Sequence, residues 1–285
     1  MNAGAAKQLS VLDRLAHDLA RGTSDLPTLP RGVAEALRLA RQATLDFSEI
    51  ERVGAQYPPL AARLLAVANS ALYALPGVPR IASVRRAAIR LGLQATRDVL
   101  YQVAYATMFV DTPRFREVIE RSFLRGVRAA RYARFIATER RVDVDVAFLA
   151  GLLHDIGTAR CWKLVASMRG PVDEAEAEAA VEQLHASAGA QLATAWRLPG
   201  DVIDACRAHH DPRGRVFPTI AAASHSLVDL EDGVDAAAEA SAMLAALGFG
   251  QERIDELVAT AKAAYDESIS AEEASVPPVE SRRPT

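Results

Sequence analysis

Gly151-Leu152-Leu153-His154-Asp155-Ile156-Gly157 closes a helical run that starts near Asp145 and passes through Leu149 and Leu153. Apolar residues four apart lie on one face of a helix. The run delivers an imidazole and a carboxylate on consecutive positions, roughly 100° apart around the axis. Both can reach one cation over the helix end, and mixed nitrogen and oxygen ligation suits zinc, iron, manganese or nickel. Taken alone, the pair is better described as a capped helix end whose two side chains bond to each other.

The flanking sequence is helical in both directions. Residues 8–21 carry Leu9, Leu12, Leu15 and Leu19 at helical spacing, and prolines at 27 and 30 stiffen the stretch that follows. Asp46 with Glu49 has the form of a capping box, and Pro58-Pro59 suits the first turn of a helix. Ser83 precedes Val84, Ala87, Ala88 and Leu91, with Gly92 closing that helix. Thr112-Pro113 begins a long helix to about Thr138, and further helices are expected near 173–196, 199–210, 216–230, 234–246 and 250–266. Sustained period-two alternation and Asn-Gly hairpin turns are both missing, so the fold class is all-α.

Composition narrows the setting. Half the residues are hydrophobic but only 6% are aromatic, a mixture that favours packed helices. No apolar run approaches the roughly 20 residues that span a bilayer, and no leader pattern opens the chain, so no membrane partner and a cytoplasmic location are expected. The two cysteines, Cys161 and Cys206, form no CxxC pair, in keeping with a reducing compartment. The net charge of −3 conceals an asymmetry: from Arg80 to Arg141, fourteen arginines against five acids give +9, leaving −12 elsewhere. Such a segment fits best the solvated faces of amphipathic helices, and otherwise a patch for nucleic acid, a nucleotide or an acidic partner, with Arg85, Arg86 and Arg90 as its candidates.

Five of the six histidines lie beyond residue 150: His154, His185, His209, His210 and His225. Ligands drawn from several facing helices are the usual way a bundle builds a metal site. Histidine also favours the last turn of a helix, so the clustering alone leaves both explanations open.

Order and spacing of several segments take the matter further. Residues 26–30 (LPTLP), the Pro58–Leu65 helix running into Ala68-Asn69-Ser70-Ala71-Leu72-Tyr73, and Ile81 through Leu93 precede GLLHDIG at 151–157. His185 with Gly189, Trp196-Arg197-Leu198-Pro199 and His209-His210 follow it. Across about 24–230 this succession resembles the HDOD domain, an all-helical relative of the HD phosphohydrolases.

The resemblance implies a multi-helix bundle with an N-terminal helical subdomain at 24–112 and an HD-like core at 113–230. An N-terminal amphipathic helix (1–23), a C-terminal helical extension (231–267) and a disordered tail (268–285) flank the domain, the tail because its acidic, Ser- and Pro-rich sequence buries little. HD hydrolases hold one or two metals with a histidine on an earlier helix, the His-Asp pair and a later aspartate. HDOD proteins generally lack the full set and serve in bacterial signalling and gene regulation.

Here the surviving candidates are His154, Asp155, His185, His209, His210 and Asp229, a partial set for iron, manganese, nickel or zinc. Arg125 stands where the first histidine is expected, and a guanidinium has no lone pair to give. Pointing inward, Arg125 would pair with Asp155 or bind an anion. Thr158 replaces the lysine that follows HDIG in the cyclic-dinucleotide class, and Asp211-Pro212-Arg213-Gly214 replaces that class's Gly-Tyr-Pro signature. The expected function is therefore a regulatory module acting through a signalling partner or homodimer rather than a catalyst. The alternatives are a metal-dependent phosphohydrolase of nucleotides or cyclic dinucleotides, and nucleotide or nucleic-acid binding without chemistry.

Overall fold

Each stretch with helical apolar spacing forms a helix in the computed structural model, which describes residues 9–21, 31–40, 42, 44, 46–73, 77, 79–107 and 112–275. Among the described residues there are thirteen α-helices, one 3-10 turn and no strand, so the structure is all-α. The proline-rich residues 26–30 lie outside them. No helix among the described residues is long and apolar enough to cross a membrane.

The chain forms two compact units, each discontinuous in sequence. The first combines Met1–Phe123 with Thr158–Leu184. Its first helix, α1 (Val11–Arg21), buries Val11, Leu15 and Leu19, while Leu9 is exposed. Glu176 accepts the Val11 amide at 2.9 Å, satisfying one donor of the helix start. Helices α2 (Arg31–Ala40), α3 (Phe47–Gln56) and α4 (Pro58–Ala68) pack on α5 (Val84–Thr107). Asp46 caps α3 by accepting from Ser48 N at 2.8 Å, and Glu49 turns to Arg38 of α2. Inside α5, Gly92 has φ 75°, so the helix expected to close there does so, and a second one resumes at once. Asn69 joins the end of α4 to the following segment, donating to Leu65 O and Ile81 O and accepting from Ile81 N.

The second unit combines Leu124–Gly157 with His185–Thr285. It takes α6 (Arg116–Arg140) from Leu124 onward, α7 (Val144–Leu153), the later half of α9 (Glu174–Ala195), α10 (Gly200–Ala208) and α11 (Val216–Glu231). In chain order, α8 (Ile156–Ser167) starts directly after the His-Asp pair and passes into the first unit from Thr158. Asp143 caps α7 by accepting from Asp145 N and Val146 N. Alanines at 150, 205 and 221 are buried with the half-buried Phe217 packed against them, and their small side chains let α7, α10 and α11 approach closely.

Two further helices, α12 (Ala237–Ala246) and α13 (Gln251–Ser275), share one core with α6 and α11 through Ala133, Ile136, Leu227, Leu244, Ile254 and Leu257. The stretch 231–267 is thus integral to this unit. Residues 268–275, expected within a disordered tail, are helical in α13. They are rich in helix formers and meet no proline until Pro277. Residues 276–285 lie outside the described part.

Candidate metal centre

Gly157 sets the geometry. A Cβ at this position would lie 1.8 Å from His185 O and 2.5 Å from Gly189 N, so only glycine lets the backbone of α9 come this close to the start of α8. That approach brings His185 to Asp155. Gly151 does the same for α7 and α6, where a Cβ would meet Ala129 O, Ala130 Cα and Ala133 Cβ at 2.8 Å. The Cys206 thiol donates to Leu153 O at 3.1 Å, tying the end of α7 to α10.

Asp155 lies at the junction of α7 and α8 with each carboxylate oxygen facing a different set of imidazoles. Its Oδ1 is 3.2 Å from His209 Nε2 and 3.4 Å from His185 Nε2. Its Oδ2 is 3.4 Å from His154 Nε2 and 3.5 Å from His225 Nδ1. Within the first set, His185 Nε2 is 3.3 Å from His209 Nε2 and 2.9 Å from His210 Nε2. Within the second, His154 Nε2 is 2.9 Å from His225 Nδ1. His154, His185 and His209 are buried, and the Oδ1 atom of Asp155 is buried with no hydrogen-bond partner.

The outer ring nitrogens are anchored. His154 Nδ1 is 2.8 Å from Gly151 O, and His209 Nδ1 is 3.2 Å from Ala205 O and Cys206 O. A carbonyl only accepts, so each Nδ1 carries the proton and a neutral ring keeps its lone pair on the inward Nε2. This is the arrangement that orients histidine ligands. Burial alone would raise the Asp155 carboxyl, but the surrounding imidazoles, His154 foremost, hold it well below the usual carboxylate range. Burial and the neighbouring His209 and His185 pull His210 down to about 4. Burial works against a charged His225 too, yet Asp155 and Asp229 outweigh it and raise that ring above its ordinary value.

These spacings fit a metal. Two ligand atoms each about 2.1 Å from one tetrahedral ion lie roughly 3.4 Å apart. The separations from Asp155 to the four imidazoles it faces, and those of the His185–His209, His185–His210 and His154–His225 pairs, run from 2.9 to 3.5 Å. The first set supplies three nitrogens and Asp155 Oδ1; the second supplies two nitrogens and Oδ2.

Residues 26–212 match the HDOD domain, more than half of the chain. The chain belongs to the HDOD domain family. Among solved structures, an HDOD domain protein of unknown function from Geobacter sulfurreducens is 24% identical with a TM-score of 0.57, covering 90% of this chain and 98% of that one. A protein from Shewanella amazonensis SB2B, provisionally named as a metal-dependent phosphohydrolase, is 20% identical with a TM-score of 0.62, covering 90% and 100%. Identities this low establish the shared fold. An uncharacterized protein of Treponema pallidum is 27% identical over 209 residues, which make up 70% of this chain but only 40% of that relative's length.

Five of the six expected ligands of this HDOD chain therefore converge: His154, Asp155, His185, His209 and His210. The sixth, Asp229, stands behind the site. Its Oδ2 is 3.4 Å from the outer Nε2 of His225, and its Oδ1 is paired with Arg125. Arg125 points inward from α6, as one of its two expected orientations required, but pairs with Asp229 and Asp232 rather than Asp155. The acidic end of α11 lies nearer than the His-Asp junction and offers two carboxylates to one guanidinium.

His225 joins the cluster although it was absent from the expected ligand set. The available signal was its place four residues before Asp229, which sets both on one face of α11. Arg85, Arg86 and Arg90 belong to α5 in the first unit, whereas every residue of the histidine site belongs to the second. Arg86 and Arg90 border a groove lined by Leu72, Tyr73, Ile81 and Ile89. Of the other arginines in the basic segment, Arg128 pairs with Glu231 and Asp232, Arg134 covers Phe148 and Arg140 covers Phe249.

Proposed function

We propose that this HDOD chain is a bacterial signal-transduction module whose histidine cluster binds divalent transition-metal ions and whose output passes through protein contacts. The observation that carries the metal reading is the geometry at Asp155, a half-buried carboxylate whose two oxygens face two sets of imidazole nitrogens at ligand spacing. Desolvating a carboxylate is costly, and a cation shared by its oxygens offsets that cost. The donor set of imidazoles with one carboxylate suits iron, manganese, nickel or zinc over magnesium or calcium. Arg125 favours a regulatory role, because its guanidinium occupies Asp229.

Metal analysis of tag-free protein tests this directly. Stoichiometric metal that is lost in His154→Ala and His209→Ala is the expected result. A wild-type protein that stays metal-free and shows no thermal shift with added zinc, manganese or iron would overturn it. A phosphohydrolase is the second reading, favoured by the three-donor set of His154, Asp155 and His225, which leaves coordination positions for a substrate. A bound ion would supply Lewis acidity to a phosphate ester there. Turnover of a cyclic dinucleotide by the metal-loaded protein would support that reading. The arginine-rich segment favours nucleic-acid binding less, since several of its side chains are engaged with α11 or with aromatic rings.

A further inference from the structure

The two sets of donors differ in how they are backed. His154 and His209 are oriented by backbone carbonyls, which any helix end provides. His225 is faced instead by a side chain: Asp229, one turn further along α11, lies at ion-pair distance, 3.4 Å from its outer Nε2. Asp229 is itself held by Arg125, which also grips Asp232, while Arg128 binds Asp232 at 2.7 Å and Glu231 at 3.2 Å. A carboxylate engaged on one oxygen by a guanidinium has its other oxygen left for the ring. An Nε2–H donated outward places the lone pair of a neutral imidazole on Nδ1, and Nδ1 faces His154 Nε2 and Asp155 Oδ2.

We infer that His225 is a metal ligand through Nδ1, and that Asp229, pinned by Arg125, is the positioning residue that fixes its tautomer. The inference rests on the metal reading above and goes beyond it in assigning the ligating atom of the α11 donor and a role for the ion-paired network behind it. Asp229 is thereby excluded from the first coordination sphere, and the chain completes its second donor set with nitrogen in place of that carboxylate. Positioning carboxylates of this kind change metal affinity by about 10–100-fold when removed.

Zinc is the probe. Wild-type protein, stripped and reloaded, is expected to hold two zinc ions per chain, and His225→Ala and His225→Gln one. Asp229→Ala is expected to keep both sites while weakening the second by about 10–100-fold, with Asp229→Asn, which retains an acceptor oxygen, losing less. Nitrogen-15 spectra of zinc-loaded wild type are expected to show His225 protonated at Nε2 and bound at Nδ1, a readout independent of whether any variant folds. Two zinc ions retained in a folded His225 variant, or a His225 protonated at Nδ1, would overturn the inference and leave the metal reading standing. A wild type that binds no zinc would overturn both.

Discussion

Gly157→Ala adds one methyl group and should damage both the fold and the site. The new Cβ would lie 1.8 Å from His185 O, 2.5 Å from Gly189 N and 2.7 Å from His185 C. Ordinary contact begins at 3.4 Å, so the His185 carbonyl must retreat by about 1.6 Å. All three neighbours are backbone, so no rotamer change relieves the clash. Replacing glycine within a helix ordinarily gains up to about 1 kcal/mol from propensity. Overpacking against backbone costs about 3 kcal/mol, the upper end of the usual range, and the steric effect wins.

The net loss of about 2 kcal/mol corresponds to a melting temperature lower by roughly 4–8 °C for a chain of this size. The same retreat carries His185 Nε2 away from Asp155 Oδ1, now 3.4 Å distant, so the four-donor set loses a member. Differential scanning calorimetry and metal analysis on the same samples measure both effects. Gly151→Ala is the control, because its nearest contacts are 2.8 Å and ask for a smaller movement. A Gly157→Ala protein with wild-type melting temperature and metal content would refute the close-approach reasoning.

Two other outcomes are expected. Asp143→Ala removes the acceptor for two amides at the start of α7 and should cost about 1 kcal/mol, a drop of about 2–4 °C, with metal content unchanged; a larger loss, or a loss of metal, would show that this cap also sets the His-Asp junction. Burial pushes the thiols of Cys161 and Cys206 up to about 12, so native protein should resist iodoacetamide at pH 8 and react only when unfolded. Because burial raises their folded pKa values above the ordinary thiol value near 9.0, the stability they contribute is full below pH 9 and is lost as pH rises toward 12. Urea midpoints that do not fall between pH 9 and pH 10.5 would contradict that burial.

Helices were legible because each depends on local spacing and local chemistry. The Asp46 cap, the Pro58-Pro59 start and the Gly92 break all act within a turn of themselves. The continuation of α13 to Ser275 was not legible, since composition favouring disorder and composition favouring an exposed helix overlap in this acidic, alanine-bearing stretch.

The His-Asp pair, the five late histidines and the Arg125 replacement could all be read from the chain, and they define what chemistry is available. Sequence by itself determined the all-helical class, the family and the donor types. Only the tertiary structure decided which donors meet. His225 enters the cluster and Asp229 stays behind it because α6 brings Arg125 to the end of α11, a pairing between residues 104 positions apart. No local pattern encodes such a contact; it depends on how Gly151 and Gly157 let the backbones of the second unit close on one another. The HDIG glycine thus acts as a spacing device, and the distance it permits makes a dipeptide motif part of a six-residue site.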